Sequence, residues 1–166
     1  MSKFCIVFLL MLTIASVKSK NYNNITKFRV YVHEYFSGPN ANIYEVARAN
    51  ITANSPASFG LVSVGDTSMT SGPDMNTGKL GRAQGYTVNT DLKELVTMLN
   101  AEFIFTVGKY RGSSLIVSGR INHELAIVGG TALFRMARGY VDSTTYFSDP
   151  HTGYVIGIFD FSVYLD

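Results

Sequence analysis

Apolar and polar residues alternate with period two along most of the chain, the pattern of strands that bury one face. In the first such stretch Phe28, Val30, Val32, Glu34 and Phe36 share one face, and Arg29, Tyr31, His33 and Tyr35 share the other. Ser37-Gly38-Pro39-Asn40 ends it with turn-forming residues. The same pattern predicts further strands over 42–51, 60–66, 80–89, 96–107, 113–119, 124–128, 139–147 and 154–165, separated by breaks rich in Gly, Pro, Asn, Asp and Ser. Only two segments suit a helix. Asp91-Leu92-Lys93-Glu94-Leu95 fits a turn before the fifth strand, and Ala132-Leu133-Phe134-Arg135-Met136-Ala137-Arg138 fits a short helix closed by Gly139. No repeat of solenoid or propeller length is present. Many short strands without interleaved helices predict an all-β sandwich or barrel, and periodicity alone does not choose between them.

The N-terminus departs from this pattern. Lys3 precedes an unbroken apolar run from Phe4 to Leu12, which continues through Thr13 to Ala15 and meets Ser16-Val17-Lys18-Ser19-Lys20. A short basic start, an apolar stretch and small residues at the exit are the pattern of a secretory signal. The run is shorter than the roughly 20 apolar residues of a membrane span. The expected organisation is a signal peptide over 1–19, cut after Ser19 with Ser16 as second choice, a polar lead over 20–26, and one domain over 27–166. Cleavage removes Cys5, the single cysteine, so the mature chain has no disulfide. Lys3 and Lys18 leave as well, so 12 basic residues face 12 acidic ones. This balance, with no basic cluster, gives no basis for a nucleic acid or membrane partner. Asn24-Ile25-Thr26 and Asn50-Ile51-Thr52 are glycosylation sequons, with Asn24 and Asn50 as acceptors in a secreted chain.

Three acids stand among apolar neighbours. Glu34 is the one charge on the Phe28/Val30/Val32/Phe36 face. If that face lines a barrel lumen, desolvation raises its pKa and makes it a proton donor. Asp66 shares a face with Val62 and Val64 at the predicted end of the third strand, where it could equally cap the following loop through Thr70. Asp160 lies beside Ile156 and Ile158, opposite Phe159, Phe161 and Val163, and is expected to point outward or into a subunit contact. Other chemistries find no motif. Gly129-Gly130-Thr131 lacks the lysine of a phosphate loop, and no Gly-x-Ser-x-Gly elbow is present. His33, His123 and His151 lack metal-ligand spacing, so neither metal nor cofactor is expected.

Several motifs in order resemble the dirigent family of plants: Asp66-Thr67-Ser68-Met69-Thr70, Gly81-Arg82-Ala83-Gln84-Gly85, Gly108-Lys109-Tyr110-Arg111-Gly112-Ser113-Ser114-Leu115, Ile127-Val128-Gly129-Gly130-Thr131 and Phe134-Arg135-Met136-Ala137-Arg138-Gly139-Tyr140. Upstream, Tyr31-Val32-His33-Glu34 resembles the family's opening strand. The resemblance implies an eight-stranded antiparallel β-barrel of the allene-oxide-cyclase-like type, a homotrimer or other homo-oligomer, secreted to the apoplast and holding a small phenolic ligand at its mouth. It implies stereoselective coupling of phenoxy radicals of monolignols such as coniferyl alcohol to lignans. The radicals would come from an extrinsic laccase or peroxidase, because the barrel supplies orientation and not oxidation. Two alternatives accompany this: a cyclase or dehydratase acting on one phenolic through a quinone methide, and a phenolic-binding or cell-wall defence protein without chemistry.

Carried over residue by residue, the resemblance makes Glu34, Asp66 and His123 the catalytic candidates. Glu34 stands at the family's acidic position after His, which is Asp in most members. Asp66 matches the first of a paired Asp, with Thr67 at the second. The loop Gly119-Arg120-Ile121-Asn122-His123-Glu124 lacks the family's Asp, and His123 replaces an Arg before Glu. Tyr86, Thr87 and Arg120 are the substrate-binding candidates. The family's lumen Tyr after Gly85 is displaced here, since Tyr86 comes one position early and Thr87 takes its place. A shift of one residue moves a side chain to the other face of a strand.

Overall fold

The computed structural model describes residues 25–165. The sequon acceptor Asn24 and the expected signal peptide lie outside them. The elements in chain order are β1 (Ile25–Tyr35), β2 (Ile43–Ala47), α1 (Asn50–Asn54), β3 (Val62–Thr70), β4 (Lys79–Asn89), β5 (Thr97–Phe105), β6 (Ser114–Arg120), β7 (Glu124–Thr131), β8 (Arg138–Asp149) and β9 (Tyr154–Tyr164). Short 3-10 turns cover Gly108–Tyr110 and Ala132–Phe134.

The strands form one antiparallel sheet in the order β1-β9-β8-β7-β6-β5-β4-β3, and pairing of β1 with β3 closes it into an eight-stranded barrel. The closing seam is short: Tyr31, Val32 and His33 pair with Thr70, Met69 and Ser68. Beyond His33, β1 stays with β9 as far as Tyr35↔Tyr154 and leaves β3. The chain makes an excursion through residues 36–42, and β2 then takes the vacated edge of β3, from Ile43↔Gly65 to Ala47↔Val62. The barrel wall therefore parts at one end, between β2 and the β1–β9 ribbon.

Alternation decides what fills the barrel. Inward positions at one end carry large aromatics. Phe28 stacks on Phe161 with centroids 4.9 Å apart, and Phe103 meets Phe159 and Phe161 at 5.0 Å. Phe105, Tyr110 and Phe134 complete the plug. Inward positions of β3 and β4 at the parted end are small, namely Ser63, Gly65, Thr67, Ala83 and Gly85, and β5 adds Ala101. A Cβ at Gly85 would run into the Asn100 carbonyl and Ala101, so close approach of β4 to β5 requires glycine there. Aromatics fill one half of the barrel, and small residues leave the other half hollow.

Several element boundaries differ from expectation. The lead does not extend to 26, because Ile25 and Thr26 already pair with Tyr164 and Val163 of β9. The predicted 42–51 strand stops at Ala47 and gives way to α1. There the Thr52 hydroxyl accepts the Ala49 N–H at 3.1 Å and donates to the Phe59 carbonyl at 2.8 Å, which closes the turn. Residues 67–70, expected in a loop, belong to β3, because β1 and β4 both offer them ladder partners. The helix over 132–138 shrinks to a single 3-10 turn. Ala132 and Met136 adopt left-handed φ of 48° and 64°, which breaks any helix through them. Over 91–95 the Asp91 carboxylate accepts the N–H groups of Lys93 and Glu94 and fixes a turn.

Candidate functional site

The hollow end is a cavity of about 530 Å³. Val32, Leu99, Phe103, Val155 and Phe159 supply apolar wall, and Leu61, Leu95 and Ile121 stand around it from the loops. A mostly apolar concavity with few polar groups is the general form of a small-molecule site.

Glu34 projects into this cavity from β1, directly beyond the point where the seam parts. Alternation puts it in line with Val30 and Val32, which are fully buried. Its carboxyl has no hydrogen-bond or ionic partner among the described residues. Burial against apolar wall disfavours the charge and raises the pKa from 4.5 to about 7. An acid with these properties carries a proton near neutrality and can release it to a bound molecule.

The mouth is stitched by Asn42. Its side-chain amide donates to the His33 carbonyl at 2.9 Å, and its Oδ1 accepts the Tyr35 N–H at 2.8 Å. Its backbone N–H reaches the Tyr35 carbonyl and its carbonyl accepts from Asp66. One residue thus bonds to β1 and β3 where their own ladder has ended.

On the outer face of β1, next to Glu34 in sequence, His33 is fully buried. The Thr70 hydroxyl donates its single proton to the Gly72 carbonyl at 2.6 Å, so at 2.7 Å it accepts from His33 Nε2–H. Nδ1 is then the bare nitrogen of a neutral ring, and the Tyr154 hydroxyl donates to it at 2.7 Å. Burial lowers the His33 pKa and raises Tyr154 to about 12. This buried chain locks the strand whose next residue is Glu34.

The other candidates are dispersed. Asp66 lies inside β3, not at its end, and caps no loop: it points outward and its carboxylate accepts from Arg82 Nε at 2.5 Å. His123 is exposed in the β6–β7 turn, where its carbonyl accepts from Ser143, and its ring is not part of the cavity lining. Asn122 beside it adopts a left-handed φ of 62°, as a tight turn requires. Arg120 is exposed near Asp91, away from the cavity. Thr87 lines the cavity from the inner face of β4; Tyr86 stands at its edge and is largely exposed. Asp160 faces outward, as its alternation predicts, and binds Arg29 through two bonds of 2.7 Å. Asn50 is exposed at the start of α1. The structure therefore unites Glu34 with Thr87 and Tyr86, and separates Asp66, His123 and Arg120 from them. Reading single strands missed Asn42, Glu45 and Ser63, because their placement depends on β2 resuming where β1 leaves β3. Among the described residues no cluster of His, Cys, Asp and Glu has the make-up of a metal site, and no helix is long and apolar enough to cross a membrane.

Comparison with known proteins gives consistent relatives. A family model described as dirigent-like protein matches residues 25–165. Dirigent protein 15 of Arabidopsis thaliana is 36% identical over 155 residues, covering 87% of this chain and 82% of the relative. Pterocarpan synthase 1 of Glycyrrhiza echinata is 32% identical, covering 84% and 77%. Among solved structures, the pterocarpan synthase dirigent protein GePTS1 superposes with a TM-score of 0.76 at 33% identity, covering 84% of each chain.

Proposed function

The chain belongs to the dirigent family, and from that premise we propose that its cavity binds a phenolic molecule and that Glu34 moves a proton on it, so that a quinone methide forms and closes on one face only. The observation that carries this is Glu34 itself: an unpaired carboxyl, protonated up to about pH 7, in an apolar cavity. Its neutral form donates to the departing hydroxyl of a hydroxybenzylic substrate. The carbon–oxygen bond breaks, water leaves, and the phenolic proton is lost as the quinone methide forms. A second hydroxyl of the same molecule then attacks the methide carbon, gives up its proton and restores the phenol. The net change is loss of one water. The apolar wall fixes which face is attacked, which is control by orientation. Two named pterocarpan synthases among the similar proteins support the single-substrate reading.

A second reading keeps the same acid and changes the source of the methide. Radicals of a monolignol such as coniferyl alcohol, made by an external laccase or peroxidase, couple to a bis-quinone methide that Glu34 then protonates. It is supported by the several relatives named only as dirigent proteins. On either reading, an N-terminal signal would deliver the protein to the apoplast, where phenolics and oxidases meet.

One experiment separates these readings: chiral product analysis of hydroxybenzylic phenols without oxidase, and of coniferyl alcohol with laccase. Turnover to one enantiomer without oxidase is the expected result. Optical excess only with laccase selects the coupling reading. Racemic products in every arm remove stereochemical control altogether. Glu34→Gln is expected to lower turnover by about 100-fold or more, the usual contribution of a positioned acid.

A further inference from the structure

The cavity holds a second polar patch, separate from Glu34. Ladder pairing puts Glu45 of β2 opposite Ser63 of β3, and Ser63 opposite Thr87 of β4. All three line the cavity. They form one cross-strand row, in which directly opposed side chains stand roughly 5 Å apart. The hydroxyls of Ser63 and Thr87 have no hydrogen-bond partner among the described residues. The Glu45 carboxylate is held at the rim by Arg48, whose guanidinium donates to it at 2.7 Å. Apart from Glu34, and Tyr86 at the edge, the cavity's other polar side chains are engaged within the protein: Tyr44 donates to Ala41, Thr67 to Ala83, Asn89 to Ala57, and Thr97 to Asn89. Open hydrogen-bonding capacity within the lumen is therefore concentrated at Glu34 and at this row, with the Tyr86 hydroxyl open at the cavity's exposed edge.

From this geometry we infer that Glu45, Ser63 and Thr87 form a hydroxyl-recognition subsite that fixes the far, phenolic end of the ligand. Glu45 accepts the phenolic O–H, and the Ser63 and Thr87 hydroxyls bond to its oxygen. The inference rests on the phenolic-binding reading above and adds which residues choose the ligand and how long that ligand is. Continuing the seam register one residue past His33↔Ser68 brings Glu34 level with Thr67. Ser63 lies four residues along the same strand, about 13 Å at 3.3 Å per residue. A single phenol ring with a short tail spans less than that distance, whereas two linked rings span it. The row therefore selects a two-ring phenol whose free hydroxyl lies at the end remote from the oxygen that Glu34 protonates. A methyl ether at that hydroxyl leaves Glu45 facing an oxygen with no proton to share, and unmatched polar groups strongly disfavour the wrong ligand.

Calorimetric titration of the protein with 7-hydroxyflavanone and with 7-methoxyflavanone, two-ring probes differing in one hydroxyl, tests this. The wild type is expected to bind the hydroxyl form about 10-fold more tightly, the scale of one hydrogen bond to a charged group. In Glu45→Gln and in Ser63→Ala that preference is expected to shrink to about 2-fold or less, with thermal unfolding midpoints showing that both variants are folded. Glu34→Gln is expected to keep it, because Glu34 serves the other end. An unchanged preference in Glu45→Gln and Ser63→Ala, or no preference in the wild type, overturns the subsite and leaves the phenolic cavity standing. Failure of both probes to bind folded wild type overturns the subsite and the phenolic reading together.

Discussion

Two adjacent residues of β1 respond to pH in opposite directions. Glu34 has a folded pKa raised from 4.5 to about 7. A carboxyl with a raised folded pKa favours the fold while protonated, and that advantage disappears as pH rises from 4.5 through 7. Comparison of Glu34→Gln with wild type by urea unfolding isolates the effect. The stability difference should move in favour of the variant by about 3 kcal/mol between pH 4 and pH 8. A flat difference would place the carboxyl in water. His33 has a folded pKa lowered from 6.5 by burial, with Asp74 partly opposing. Below pH 6.5 the unfolded chain takes up a proton that the folded ring refuses, so stability falls as pH drops. In the Glu34→Gln background, where the opposing slope is gone, urea unfolding should show steady destabilisation as pH falls from 6.5 to 5, with little change from pH 8 down to 6.5. A His33→Ala change in that background should remove the slope, although it also lowers stability at every pH by emptying a buried site.

At the scale of elements, the parted seam is where local reading of the chain failed and where the site is made. Period-two alternation is a property of each strand alone, so it correctly grouped Glu34 with Val30 and Val32 and put Asp160 on the outside. It could not show that β1 gives its partner to β2 after His33, because that exchange depends on ladders between residues far apart in sequence, from Ala47↔Val62 to Tyr31↔Thr70. Residues 67–70 looked like a loop for the same reason: Thr67, Ser68 and Thr70 are polar, but ladder partners take up their backbone groups, and the Thr67 and Thr70 hydroxyls bond to Ala83 and to Gly72 and His33. His123 and Arg120 were candidates by likeness of a loop that here turns tightly on Asn122 and keeps both side chains outside. Asn42 carries the exchange. Asn42→Ala removes its two side-chain bonds to β1, which should cost about 1–3 kcal/mol. Amide exchange should quicken at Tyr35 and Ile43 but not in β5 or β6. Unaltered exchange at the mouth would show that backbone bonds alone hold β2 in place.

Across the whole molecule, one barrel divides stability and binding between its two ends. The aromatic plug of Phe28, Phe103, Phe105, Phe134, Phe159 and Phe161 gives the closed end a tightly packed core. The open end has almost no large inward side chains on β3 and β4, and that deficit is the ligand volume. The arrangement explains why a chain whose expected mature form has no disulfide can keep a hollow half: packing at one end supports vacancy at the other. Substitutions at the two ends should therefore have different consequences. Phe161→Ala, deep in the plug, should lower stability by about 3–5 kcal/mol and leave ligand affinity within a few-fold wherever the variant stays folded. Ala101→Leu, on the small-residue wall, places extra carbon atoms in empty lumen. It should leave the unfolding midpoint within a few degrees of wild type while weakening ligand binding by at least about 10-fold. Calorimetric titration beside thermal unfolding of both variants measures the division directly. If Ala101→Leu lost stability and affinity in proportion, the hollow end would be part of the core, and the cavity would not be an independent feature of the fold.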